Sequence, residues 1–136
     1  MRYLVAIAAL AMLCGCGVKE SFSQAAAEVD QFHRALDAEQ YAAIWKTTGS
    51  DMRAATTQDQ LTKVLAAVHR KLGGVKDSKQ VGWNTNATTG GTFLTLAMET
   101  TFEKGAGTEQ FVYRKIDEKN LQLAGYNIQS QDMIIN

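Results

Sequence analysis

The stretch TFLTLAMETTF, residues 92–102, decides the fold class of this chain. Alternate positions carry large apolar side chains, and those between them are largely polar: Leu94, Leu96, Met98 and Phe102 against Thr95, Glu99 and Thr101. A period of two places the two sets on opposite faces of a β-strand. The pattern therefore predicts a strand with one face in a core and the other face toward solvent.

Three further segments have strand composition, with aromatic and β-branched residues bounded by turn signals. They are residues 75–87 around Val81 and Trp83, TEQFVYRKI at residues 108–116, and LQLAGYNIQ at residues 121–129. Short connections such as TTGG, KGAG and DEKN suit hairpins. We predict four strands in an antiparallel meander.

The last strand contains a change of phase. Leu121 and Leu123 are in register with each other, but Tyr126 and Ile128 are offset by one residue. A β-bulge near Gly125 would return both pairs to the same face. We expect this bulge to need the unhindered backbone of a glycine.

The first half of the chain has helical periodicity instead. We predict a helix from Ser21 with Gln24 as capping-box partner, a short helix capped by Asp37 and Gln40, and a third helix capped by Thr57 and Gln60 and stopped by Gly73. TTGSDMRAATT, residues 47–57, is polar and is predicted to be a loop. Helices followed by strands predict an α+β fold, with three N-terminal helices packed on a curved four-stranded antiparallel sheet after a cleaved signal peptide.

The N-terminus has the organisation of a secretory signal. Arg2 is followed by a short apolar run over residues 3–13, well below the roughly 20 residues of a membrane-spanning helix. The next residues, LCGC at 13–16, resemble a bacterial lipobox, with Cys16 as the lipidated residue. The resemblance implies a signal peptide over residues 1–15, a lipidated tether over 16–21 and a single domain over 22–136. It also implies acyl chains such as palmitate on Cys16, and cleavage just before it.

Other interpretations of the two cysteines fit less well. A redox pair normally has the spacing Cys-x-x-Cys, whereas Cys14 and Cys16 are separated by one residue. A zinc site needs about four ligands, and neither histidine has suitable spacing. An ordinary cleaved signal peptide with incidental cysteines stays open. Gly17 after the cysteine, by resemblance to enterobacterial lipoproteins, favours the outer membrane, with the domain facing the periplasm.

The balanced charge excludes one class of partner. Fourteen basic residues offset fourteen acidic ones, with no basic cluster, which argues against nucleic-acid binding. The absence of proline, repeats and low-complexity tracts gives no sign of a second domain.

Several segments resemble a known family. YAAIW, HRKLGG, FLTLAMETTF, TEQFVYRK and LQLAGYNI are similar to a bacterial domain-of-unknown-function family, number four thousand and nineteen, over about residues 24–130. Leu121 stands where that family commonly has tryptophan. The resemblance implies a nuclear-transport-factor-two-like, or cystatin-like, cone fold. It brings no agreed activity, no cofactor and no metal.

Few residues point to catalysis. Asp30, His33 and Asp37 share roughly one side of the first helix, which we interpret as a solvated edge. Glu99 is predicted to face solvent or a pocket rim. Aromatic side chains are candidates for a pocket or a core: Tyr41, Trp45, Trp83 and Tyr126. Tyr113 is expected on the exposed sheet face, with Thr95, Thr101 and Gln122, where a second copy or another envelope protein could dock.

These observations favour a membrane-anchored, non-catalytic binding or protein-interaction module over an enzyme. A small pocket enzyme, of hydrolase or isomerase type, is the alternative. A catalytic pocket would present at least two inward-facing ionisable groups, whereas a binding cavity would be nearly all apolar.

Overall fold

The computed structural model describes residues 13–136, with side chains described from residue 19 onward. Its elements, in chain order, are α1 Leu13–Asp37, α2 Tyr41–Lys46, α3 Ser50–Ala55, α4 Gln58–Leu72, β1 Val75–Thr88, β2 Gly91–Phe102, β3 Gly105–Lys115, β4 Leu121–Gln129 and α5 Gln131–Ile135. The predicted α+β class is confirmed. Residues 1–12 of the signal peptide predicted over 1–15 lie outside the described part of the chain.

The four strands form one antiparallel meander in the order β1-β2-β3-β4, as predicted. The alternation in β2 is also confirmed, because its apolar set is buried and Glu99 is exposed. The helices cover only one face of the curved sheet, and the buried cluster lies between them. It draws on α1, α4 and the inner face of β2 and β3, with Phe32, Leu36, Leu65, Leu96 and Phe111 among its members.

The bulge in β4 is confirmed. Val112 pairs with Gly125 and the next residue, Tyr113, pairs with Leu123, so Ala124 is the extra residue. The expected need for glycine at Gly125 is wrong, because its φ is not positive. An added Cβ would lie 3.5 Å from Cβ of Val112, an ordinary contact.

The helix starts differ from two predictions. α1 begins well before Ser21, which lies buried inside the helix and therefore does not cap it. The residues expected to form a tether, 16–21, are helical. Gln40 precedes α2 without a side-chain cap, and Asp37 instead accepts a hydrogen bond from the backbone N–H of Val75 at 3.1 Å.

The ends of α4 follow the prediction closely. The Thr57 hydroxyl accepts from the backbone N–H of Gln60 at 3.2 Å. The side chain of Gln60 accepts from Thr56 rather than completing the reciprocal box. Gly73 ends the helix at a φ of 77°, where glycine is the favoured residue.

Two short helices were not predicted. α3 occupies the polar segment expected to be a loop and buries only Met52, so its sequence shows no apolar stripe. Arg114 holds it to the sheet, because Nε and Nη2 donate to the carboxylate of Asp51 at 2.7 and 2.9 Å. α5 follows β4 and has no buried residue. No helix in the described residues is long and apolar enough to cross a membrane.

Candidate functional site

A cavity of about 110 Å³ lies between α1, α2 and the inner face of the sheet. Its walls come from four elements and the residue after α2: Glu28, Gln31, Phe32, Ala35, Ala43, Ile44, Thr47, Tyr113 and Leu123. Gln31 and Thr47 are exposed and mark its mouth, whereas Phe32, Ile44 and Leu123 are buried. Most of the surface that a guest would touch is therefore apolar.

Glu28 brings the one carboxylate to this cavity. It lies on the α1 face that turns toward the sheet, one turn before Phe32, and is half-buried. Burial raises its pKa above the usual range. None of the ion pairs among the described residues involves Glu28, so no protein cation offsets this desolvation.

Tyr113 forms the floor of the cavity from β3. It is 2% exposed, and its ring stacks on Phe111 with an interplanar angle of 6°. Burial, followed by the negative charges of Glu28 and Glu109, raises the pKa of its hydroxyl far from neutrality. No described residue hydrogen-bonds to this hydroxyl, and it is not among the fully buried polar atoms that lack a partner.

A second polar group lies deeper in the core. The Glu109 carboxylate is fully buried and accepts three hydrogen bonds, from Nε2 of His33 at 2.7 Å, from Thr100 at 2.6 Å and from Tyr126 at 2.6 Å. Ser78 lies 2.8 Å from the Thr100 hydroxyl and extends the network to β1. These five residues are called the Glu109 network below.

The Glu109 network is separated from the cavity. None of its members lines the cavity, and the rings of Phe32 and Phe111 pack against His33 and Tyr126. Burial, then the charge and the hydrogen bond of Glu109, raises the pKa of Tyr126 well above its usual value. A carboxylate with both oxygens occupied by protein donors has a structural role, joining α1 to three strands.

The open clefts on the described surface include a charged one and an apolar one. One is charged and lies at the end of α4, lined by Glu39, Tyr41, His69, Arg70, Glu103 and Lys104 among others. The other is an apolar groove beside α5, with Val64, Ile128, Met133 and Ile134. Among the described residues, no cluster of three or more His, Cys, Asp or Glu is placed to hold a metal ion.

The predicted site residues are dispersed. Tyr41 lines the charged cleft and Trp45 lies half-buried in α2 under the guanidinium of Arg53. Glu99 is exposed on the outer sheet face, as predicted. The side chain of Cys16 lies outside the described side chains, so its lipidation stays a prediction.

Two placements are corrected. Tyr113 is not on the outer sheet face, because the antiparallel register sets it opposite Leu94, on the core side. Trp83 is not a core residue: it is 63% exposed and makes an edge-to-face contact with Phe22. Tyr126 agrees with the core alternative, since the bulge turns it to the inner face, where it is partly buried against the core cluster.

The interpretation of the first helix is corrected as well. Asp30 and Asp37 are exposed, but His33 is only 6% exposed and faces Glu109. It follows Val29 by four residues, so it lies on the apolar stripe rather than on a solvated edge.

Sequence reasoning missed Glu28 and Glu109. The signal for Glu109 was present, because it is in phase with Phe111 and Tyr113 in β3. Glu28 carried a weaker signal, four residues before Phe32 in α1. The sequence analysis singled out neither residue.

A known protein family matches most of this chain. No curated protein matches the chain. The family described as "Protein of unknown function (DUF4019)" matches residues 21–126, which span α1 from Ser21 to Tyr126 in β4. Since that match covers most of the sequence, the chain belongs to the DUF4019 family.

Proposed function

We propose that this protein is a lipoprotein of the bacterial cell envelope, anchored through Cys16, whose cystatin-like cone domain binds a small ligand without chemical turnover. The observation that carries the binding role is the cavity between α1, α2 and the sheet. It is enclosed on most sides, largely apolar, and has two polar groups converging on it.

The same cavity argues against the alternative of a small pocket enzyme. Two ionisable groups, Glu28 and Tyr113, do line it, which was the criterion for a catalytic pocket. General acid–base catalysis, however, works best when the pKa lies near the operating pH. Burial moves the pKa of Glu28 toward neutrality but that of Tyr113 away from it, so the cavity wall offers a single candidate acid or base rather than a pair. The His33–Glu109 pair in the core is sealed from the cavity. A binding role requires neither group to titrate.

The sequence pattern supports the anchor. Two or more acyl chains give stable membrane attachment, since each buried methylene contributes about 0.8 kcal/mol. Because α1 starts at Leu13, Cys16 lies on the same helix that packs against the sheet. The domain would then be held close to the outer membrane, where an envelope protein or a second copy could meet its polar outer sheet face.

The anchor is tested with a matched pair of variants in the full chain. Cys16→Ala is expected to abolish acyl labelling and leave an uncleaved precursor, whereas Cys14→Ala keeps a small residue before the cleavage site and is expected to be processed normally. Normal processing and membrane retention of Cys16→Ala would refute the anchor.

The binding role is tested by native mass spectrometry of the full acylated protein extracted from membranes. A reproducible additional mass that disappears when the cavity is filled by Ala35→Leu supports it. A clean apo protein in both forms would refute it, and an apo dimer would direct attention to protein interaction.

A further inference from the structure

The cavity wall contains two polar groups without partners in the described part of the protein, and a guest of suitable chemistry would supply those partners. Glu28 is a half-buried carboxylate without an ion-pair partner among the described residues, and the hydroxyl of Tyr113, a residue that is 2% exposed, has no hydrogen-bond partner there. Both belong to the wall of the same cavity. We propose that this cavity is a binding site for a small organic ammonium ion, with its charged group at Glu28 and Tyr113 and its hydrocarbon part against Phe32, Ile44 and Leu123.

The charge of the guest follows from the charges of the residues that line the cavity. Among the residues lining the cavity, Glu28 is the one that carries a formal charge at neutral pH, and no lysine, arginine or histidine lines the cavity. A carboxylate or phosphate guest would therefore meet repulsion without compensation. An ammonium group can donate to Glu28 and also to the Tyr113 oxygen, and its positive charge offsets the desolvation cost of the ionised Glu28 carboxylate.

The size of the guest follows from the volume. An apolar cavity of about 150 Å³ in another protein accepts benzene, which has six non-hydrogen atoms, so 110 Å³ admits about four or five. Drug-sized ligands need about 300 Å³ or more and are excluded from the enclosed space. A short alkylammonium ion meets both conditions. A guest this small is expected to bind in roughly the millimolar range.

This inference rests on the proposed binding function and names its ligand class. The probe is n-butylammonium chloride, compared at equal ionic strength with n-butanol and sodium butyrate, on the full acylated protein in non-ionic detergent. At ten times the dissociation constant, the ammonium ion is expected to raise the Tm by about 5 °C. Butanol is expected to give a smaller rise, and butyrate none.

Variants assign the effect to the site. Glu28→Gln keeps the shape of the side chain and is expected to weaken butylammonium binding at least tenfold. Tyr113→Phe is expected to weaken it severalfold, and Glu99→Gln, which neutralises an exposed carboxylate on the outer face, is expected to leave it unchanged. Each Tm shift is measured against the same variant without ligand, so that changes in intrinsic stability cancel.

Three results would overturn the ammonium assignment: no shift with butylammonium, equal shifts with all three compounds, or a full shift in Glu28→Gln. If butanol alone binds, and binds equally well to Glu28→Gln, the cavity is an apolar site and the binding function survives without the ammonium assignment. If no compound binds and native mass spectrometry of the extracted protein finds no additional mass, the binding function fails as well.

Discussion

Nε2 of His33 lies 2.7 Å from Oε1 of Glu109, and this contact joins the long N-terminal helix to the third strand across the core. The carboxylate completes its hydrogen bonding with Thr100 and Tyr126, so the Glu109 network fixes the position of α1 on the sheet. α1 also supplies Glu28 and Phe32 to the cavity wall. The geometry of the cavity therefore depends on a polar cluster that does not touch it.

Removing the imidazole is expected to be strongly destabilising. His33→Ala leaves a buried carboxylate short of one donor, and breaking such a pair costs about 3–5 kcal/mol. Arg34→Ala changes an exposed neighbour in the same helix and is expected to change the free energy of unfolding by less than about 0.5 kcal/mol. Urea denaturation at pH 7 measures both. A His33→Ala variant as stable as Arg34→Ala would show that the network is dispensable.

Glu28→Gln is expected to raise the stability of the ligand-free protein at neutral pH. The pKa of Glu28 is raised by burial, so the folded state binds its proton more tightly than the unfolded state does. The stability of the wild type therefore increases as the pH falls through this raised pKa, and its ionised form is penalised above it. The difference in Tm between variant and wild type should be positive at pH 7 and smaller at pH 4. A Tm below that of the wild type at pH 7 would indicate that the carboxylate stabilises the fold.

The turn after α4 is expected not to tolerate a side chain at Gly73. Gly73→Ala places a Cβ at a φ of 77°, 3.1 Å from Cβ of Glu103, and should destabilise the domain by about 1–2 kcal/mol. Gly90→Ala is the control, because Gly90 is not among the positive-φ residues and its added Cβ would approach Thr88 Oγ1 only to 3.6 Å. Thermal melts of the two variants decide the point. Equal melting temperatures would refute the backbone requirement at Gly73.

The anchor predicts different membrane distances for the two tryptophans. Phe22 contacts Trp83 and lies about 9 Å from Cys16 along the helix axis. Trp45 comes after the opposite end of α1. The measurement is tryptophan fluorescence in vesicles of brominated phospholipid, whose bromine atoms quench nearby tryptophans. In the acylated Trp45→Phe variant, the fluorescence of the remaining Trp83 should be quenched. In the acylated Trp83→Phe variant, the fluorescence of the remaining Trp45 should not be quenched. Equal quenching of the two variants would contradict this orientation.

The parts of the fold that rest on periodicity could be predicted from the sequence. The structure confirms the alternation in β2 and the phase change around Gly125. Both could be predicted because the buried face of a strand carries apolar residues and the exposed face carries polar ones. Thr57 and Gly73 mark the ends of α4 for a similarly local reason. The cap predicted at Ser21 is wrong, because a capping pattern inside a longer helix has the same residue types as a true cap.

The site was less accessible to such reasoning. Tyr113 and His33 were misplaced because their partners, Leu94 and Glu109, are remote in sequence and depend on strand register. α3 buries a single residue, Met52, and is placed by the Asp51–Arg114 ion pair, which has no local pattern. A cavity is a property of the space between elements, and no segment of the sequence describes it alone.

The uninterrupted course of α1 restricts how an acylated form of this protein could turn. A domain on a flexible linker samples all orientations relative to the bilayer. A domain held by a helix that continues into its core samples a narrow range of tilt angles. The membrane-proximal end would then carry Phe22 and Trp83. The opposite end, where Asp37 meets β1 and the charged cleft contains His69, Arg70 and Glu103, would always point away from the lipid. Encounters with molecules diffusing in the aqueous space would fall mainly on that charged end, whatever occupies the cavity.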